Sequence, residues 1–204
     1  ATERFDEAIA VIRKAWTSPG RFSHQGKRWH FDNIVVEPQP LQTPHPPLWL
    51  AAGSPDSIRR AAREGYNLLL DQLGSVALTI ERVALFREEC RKIARAYHPT
   101  MIGVTRALQI VHDESERRAA YETRARVVDR IGDLARGGGT ITPPERDDAA
   151  LLGTPAEIVA RLRQLQAGGV ENVLLVDPAA TVASLQAFAR EVMPAFADDR
   201  AAAE

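Results

Sequence analysis

Four short apolar runs set the limits on how this chain can fold. LWLAA (48–52), NLLLD (67–71), MIGVTRALQIVHD (101–113) and VENVLLVD (170–177) are apolar at consecutive or nearly consecutive positions, and a stretch with helical spacing of its apolar residues follows each. Strands of this kind expect cover on both faces, and strands separated by helices run parallel. The chain therefore reads as α/β, and right-handed crossovers leave an open doubly wound sheet or a closed barrel. Four strand-helix units amount to half of a barrel.

The segments between the runs fit this rhythm. A helix is expected up to Glu64 with Gly65 as its cap, another from about Val76 to Ala96, a third over ESERRAAYETRARVVDRIGDLA, a fourth over TPAEIVARLRQLQAGG and a closing one over TVASLQAFAREVM. GGGTITPPERDD reads as a polar loop. Upstream, ATERFDEAIAVIRKAW is amphipathic, with Phe5, Ile9, Ile12 and Trp16 on one face. Residues 21–37 read as a hairpin around Gly26 and Lys27, and residues 38–47 as a proline-dense loop laid over the domain. The whole, 1–204, is expected to form one domain. An opening without Met and almost directly inside a helix leads to the expectation that this is the later portion of a longer chain.

Composition removes several classes of function. A formal net charge of -1 offers no positive field for a polyanion, so nucleic acid is not expected as a partner. No apolar run approaches the length of a membrane span and no basic-then-apolar signal opens the chain, so neither membrane insertion nor export is expected. The single cysteine, Cys90, falls on the helical apolar stripe Val83, Phe86, Cys90, Ile93 and reads as a buried structural thiol in a reducing cytoplasm. His24, His30, His45 and His98 lack metal-pair spacing, and no metal is expected.

The candidate site is the turn that leaves the first run. In AAGSPDSI, Ser54 is placed as a helix N-cap, with Pro55 at the first helical position, where its missing N–H costs nothing. Capping alone accounts for these choices. The same turn could also hold an anion: Ala51, Ala52 and Gly53 leave the backbone open, the helix N-terminus offers free N–H groups, and Ser54 and Ser57 add two hydroxyls. Asp56 in the first turn would compete with that anion. Thr154 and Glu157 in LLGTPAEIVARL form a capping box and read as structural. Asp71 with Gln72, His112 with Asp113, and Asp177 stand where strands end and read first as caps or loop residues. Arg106 and Gln109 alternate on the third run, so at most one of them faces a barrel interior.

RFDEAIAVIRKAW, HFDNIVVEPQPLQTPHPPLWLAAGSPDSIRRAAREGY and LLGTPAEIVARLRQLQAGGVENVLLV, in this order and spacing, resemble the C-terminal half of the bacterial luciferase-like monooxygenase family. The resemblance implies a partial TIM-like (β/α) barrel, about the last four strand-helix units, with LWLAA as the fifth strand and VENVLLV as the eighth. It implies FMN, or alternatively a deazaflavin, as cofactor, and places Gly53, Ser54 and Ser57 against the cofactor phosphate. The implied activity is oxygenation of a small organic molecule by reduced FMN. The alternatives are hydride exchange with a deazaflavin and an inert flavin-binding or scaffold half-barrel that needs a partner half or a homo-oligomer. A phosphate-handling isomerase or aldolase barrel is a weaker alternative. Strands one to four and the usual catalytic side chains would lie outside this chain, so no catalytic residue is assigned.

Overall fold

The computed structural model describes residues 2–135, 148–176 and 181–197, which fall into two compact units, 1–48 and 49–204. Asp177 and nearly all of the loop GGGTITPPERDD lie outside the described residues.

The first unit holds α1 (Thr2–Thr17) and an antiparallel hairpin of β1 (Phe22–Gln25) and β2 (His30–Ile34). The Glu7 carboxylate fastens α1 to the hairpin turn by accepting from Arg28 N at 2.9 Å and Trp29 N at 3.0 Å.

The second unit is a parallel sheet with helical crossovers. Its elements are β3 (Trp49–Ala51), α2 (Pro55–Arg63), β4 (Asn67–Leu70), α3 (Val76–Lys92), β5 (Ile102–Ile110), α4 (Glu114–Ala135), β6 (Leu151–Gly153), α5 (Pro155–Ala167), β7 (Asn172–Val176) and α6 (Val182–Glu191). The strand order is β3-β4-β5-β6, and β5 also pairs with β7. Gly103 to Ala107 pair with β7, whereas Leu108 to Ile110 pair with β6.

The expected half-barrel of four strand-helix units is present, with two changes of detail. β6 was not anticipated: three residues ending in Gly153 are too short for a periodic signal, and the capping box beside them accounts for the same letters. α3 stops at Lys92 rather than Ala96, because Ala94 turns to φ 54° and starts the connection to β5. At the end of α2, Gly65 adopts φ 82°, a conformation that glycine reaches without a Cβ clash.

Burial explains which face of the sheet is satisfied. Ile102, Val104, Arg106 and Leu108 of β5 are covered, while Trp49, Leu174 and Val176 remain 43, 47 and 40% exposed. The expectation of cover on both faces is therefore corrected. The helices cover one side, and among the described residues the face carrying Trp49, Leu69 and Leu174, which converge over Gly103, stays open. The covered side holds Ile58, Leu68, Val83, Phe86 and Cys90, and burial pushes the Cys90 thiol up from its ordinary value. The capping box of α5 forms as read. Glu157 accepts from Thr154 N at 2.7 Å and from Arg117 Nη2 at 2.9 Å, and these bonds, Arg117 first, hold its carboxyl at about 2.

His112, just beyond β5, faces Glu191 at the end of α6 (Nε2 to Oε2, 2.9 Å) and Glu116 on α4 (Nδ1 to Oε2, 3.4 Å). The hydrogen bond to Glu191, joined by the charges of both carboxylates, raises its pKa above the ordinary value. Since the folded-state value lies above the unfolded one, the stabilisation is complete below the ordinary histidine range and fades as pH rises through the folded value. The gap in melting temperature between the chain and His112→Gln is expected to narrow as pH rises above the ordinary histidine range. A gap independent of pH in a thermal melt series would contradict this.

Candidate functional site

The turn at 52–57 is held by the strand on one side and the helix on the other. Ala52 N donates to Leu69 O at 3.1 Å, which fixes the exit of β3. Ser54 takes the extended N-cap conformation (φ -80°, ψ 151°) and its Oγ accepts from Ser57 N at 3.3 Å. Ser57 Oγ donates to Ser54 O at 2.9 Å and lies 2.9 Å from Ser54 Oγ. The capping role therefore stands, and the two hydroxyls meet at the mouth of the helix.

Among the described residues the amides of Gly53, Ser54 and Asp56 have no acceptor, which leaves the positive end of the α2 dipole open. Asp56, expected to compete with an anion, leans instead to Arg59, with Nη1 to Oδ1 at 3.0 Å. A guanidinium stands beside the turn as well. Arg82 Nη1 donates to Asp71 Oδ2 at 3.1 Å, and a Cβ placed on Gly53 would lie 3.2 Å from Arg82 Nη2 and 3.4 Å from that same carboxylate oxygen. Gly53 is thus a close-approach position where a side chain would push back the pair. Asp71 also accepts from Leu73 N at 2.7 Å and Gly74 N at 3.0 Å, so it acts as the loop residue expected and ties that loop to Arg82.

These groups border a cleft of about 340 Å³ lined by Ala51, Ala52, Gly53, Leu69, Asp71 and Thr105, at the carboxyl ends of β3 and β4 and beside the middle of β5. Ligands of parallel α/β sheets bind at that end. Arg82 was not singled out from sequence, because an arginine in mid-helix, 28 positions beyond Ser54, looks like any other solvated helix charge.

The other candidates separate cleanly. Arg106 turns to the helix side, donating to Asp71 O at 3.0 Å and to Thr79 Oγ1, while Gln109 lies on the opposite side of β5. Gln72 receives Arg124 at 3.1 Å, and Asp113 caps α4 by accepting from Glu116 N at 2.8 Å. Among the described residues no group of three or more His, Cys, Asp or Glu is arranged to hold a metal, and no helix is long and apolar enough to cross a membrane.

The sequence model of the luciferase-like monooxygenase family matches residues 1–172. The chain belongs to the luciferase-like monooxygenase family. Within that family it is 25% identical over 98% of its length to the oxygenase component of a flavin-dependent trigonelline monooxygenase of Acinetobacter baylyi, of which it covers 62%. It is 27% identical over 84% of its length to an FMNH2-dependent dimethylsulfone monooxygenase of Pseudomonas putida, of which it covers 52%. The fold agrees with the crystal structure of monooxygenase RslO1 from Streptomyces bottropensis, with a TM-score of 0.73 and 21% identity over 96% of this chain and 62% of that one. The chain thus spans about half to two thirds of the length of these luciferase-like relatives.

Proposed function

We propose that the chain carries the phosphate-binding side of a flavin-dependent monooxygenase that oxygenates a small organic substrate with reduced FMN. The observation that carries this reading is the open N-terminus of α2, with unengaged amides at Gly53, Ser54 and Asp56 beside Arg82, at the carboxyl-end mouth of a parallel sheet. The donor set fits a phosphate: backbone N–H groups, two hydroxyls and a nearby guanidinium, with no side chain on Gly53 to block approach. The flavin names of the two curated relatives support FMN over a deazaflavin.

Reduced FMN, when bound, supplies the electrons that activate dioxygen. The part played by this chain is binding and orientation. Gly53, Ser54 and Ser57 would hold the phosphate, so that the rigid exit of β3 fixes how far the cofactor reaches over the sheet. Leu69, Ala51 and Thr105 would wall the cleft and exclude water from it. A cytoplasmic setting goes with this reading, as does a single domain.

The open sheet face favours a second reading, in which this half binds flavin weakly or not at all until a partner half or a second copy covers Trp49, Leu174 and Val176. Titration with FMN, followed by quenching of flavin fluorescence, separates the two. Micromolar binding supports the first reading and absence of quenching at high concentration supports the second. Ser54→Ala combined with Ser57→Ala is expected to weaken FMN binding by about 1 to 3 kcal/mol, the cost of lost hydrogen bonds to a charged group, and to leave riboflavin, which has no phosphate, unaffected. Equal effects on both flavins would reduce the serines to capping.

A further inference from the structure

A second cavity lies next to the cofactor cleft. It measures about 130 Å³, and its apolar walls come from Ala107 of β5, Val127 of α4, Ala150 and Leu152 at β6, and Val176 of β7. Thr105 borders the cleft, whereas Ala107 and Gln109 border this cavity, so the two openings follow one another along the same side of β5 at the two-residue spacing of a strand. Asp71 and Gln72, adjacent in sequence, divide in the same way between cleft and cavity.

We infer that this cavity is the substrate-side subsite and that it takes a neutral, apolar body of about one aromatic ring. The inference rests on the cofactor reading above for the word substrate, but the binding claim stands on the cavity alone. Its volume of about 130 Å³ matches one ring, since an apolar cavity on the order of 150 Å³ is filled by a single benzene. Its lining excludes a charged body, since a charge taken from water into apolar walls needs a partner placed to meet it. Arg124 forms part of the wall, but its guanidinium is turned to Gln72, donating to Oε1 at 3.1 Å and to the backbone oxygen at 2.8 Å, and so braces the wall. Gln109 lines the cavity with the rest of the wall, whose exposed surface is almost wholly apolar, so the walls offer a ligand no polar partner.

The test is ¹⁹F NMR of the full chain with fluorobenzene, 4-fluorophenol and 2-fluoronaphthalene as probes. Both one-ring probes are expected to bind and the two-ring probe not to bind. Ala107→Leu, which fills the cavity from the sheet, should abolish binding of both rings; Val127→Trp fills it from the helix and guards against a misfolded first variant. 4-Fluorophenol, whose hydroxyl meets no partner in these walls, should bind more weakly than fluorobenzene. No binding of either ring, equal binding of the two-ring probe, or ring binding that survives both filled variants would overturn the inference. FMN titration of the same samples keeps the readings apart. Flavin binding without ring binding removes the subsite alone, and ring binding without flavin binding removes the cofactor reading while leaving a one-ring ligand pocket.

Discussion

Phe86→Ala is expected to destabilise the folded chain by about 3 to 5 kcal/mol, the range for deleting a fully buried aromatic side chain. Phe86 has no exposed surface and lies on α3, facing the sheet and α2. Its ring meets Tyr97 edge-on at 6.4 Å and lies under the Arg95 guanidinium at 5.6 Å. Arg95 in turn donates to Ala62 O and Tyr66 O, each at 2.9 Å, where α2 ends and β4 begins. The cavity would therefore remove packing and unseat the clamp that fixes α2, the helix whose N-terminus forms the candidate phosphate site. Urea unfolding followed by circular dichroism measures the loss. Phe86→Leu, which keeps most of the volume, should cost under about 1.5 kcal/mol. Similar midpoints for both variants would show that Phe86 does not anchor this core.

Arg106→Met is expected to cost on the order of 3 kcal/mol and also to weaken flavin binding. Arg106 is fully buried and satisfies Asp71 O, Thr105 O and Thr79 Oγ1. Methionine conserves the volume but leaves the buried Thr79 Oγ1, and the half-buried oxygens of Asp71 and Thr105, without this donor, and a buried orphan carries a penalty of about 1 to 3 kcal/mol. Asp71 is the link to the candidate phosphate site, because its carboxylate holds Arg82 beside Gly53. Combining Arg106→Met with Thr79→Val removes one of the orphaned acceptors and should recover part of the stability, with no recovery of FMN affinity. Full recovery of both would place Arg106 outside the path from sheet to site.

What the sequence revealed and what it hid follow from the range of the interactions concerned. The strand-helix rhythm, the Gly65 cap, the Ser54 N-cap and the Thr154–Glu157 capping box are local, because each is decided by residues within four positions of one another. Arg82 and Arg124 could not be read in that way. Their meaning lies in partners at Asp71 and Gln72, 11 and 52 positions away, and nothing in a helical stripe marks one arginine from the next. The open face escaped a reading of strand composition for a related reason. Leu174 and Val176 are apolar whether or not something covers them, and letters report what a position prefers rather than what it meets.

The pairing of β5 with both β6 and β7 gives the proposed one-ring pocket its frame. Among the described residues β5 pairs with β7 as far as Ala107 and with β6 from Leu108, and Val176 of β7 and Leu152 of β6 both line the pocket. Since β6 and the candidate phosphate turn after β3 belong to different strands of the sheet, the proposed pocket and the proposed cofactor turn can be altered one without the other.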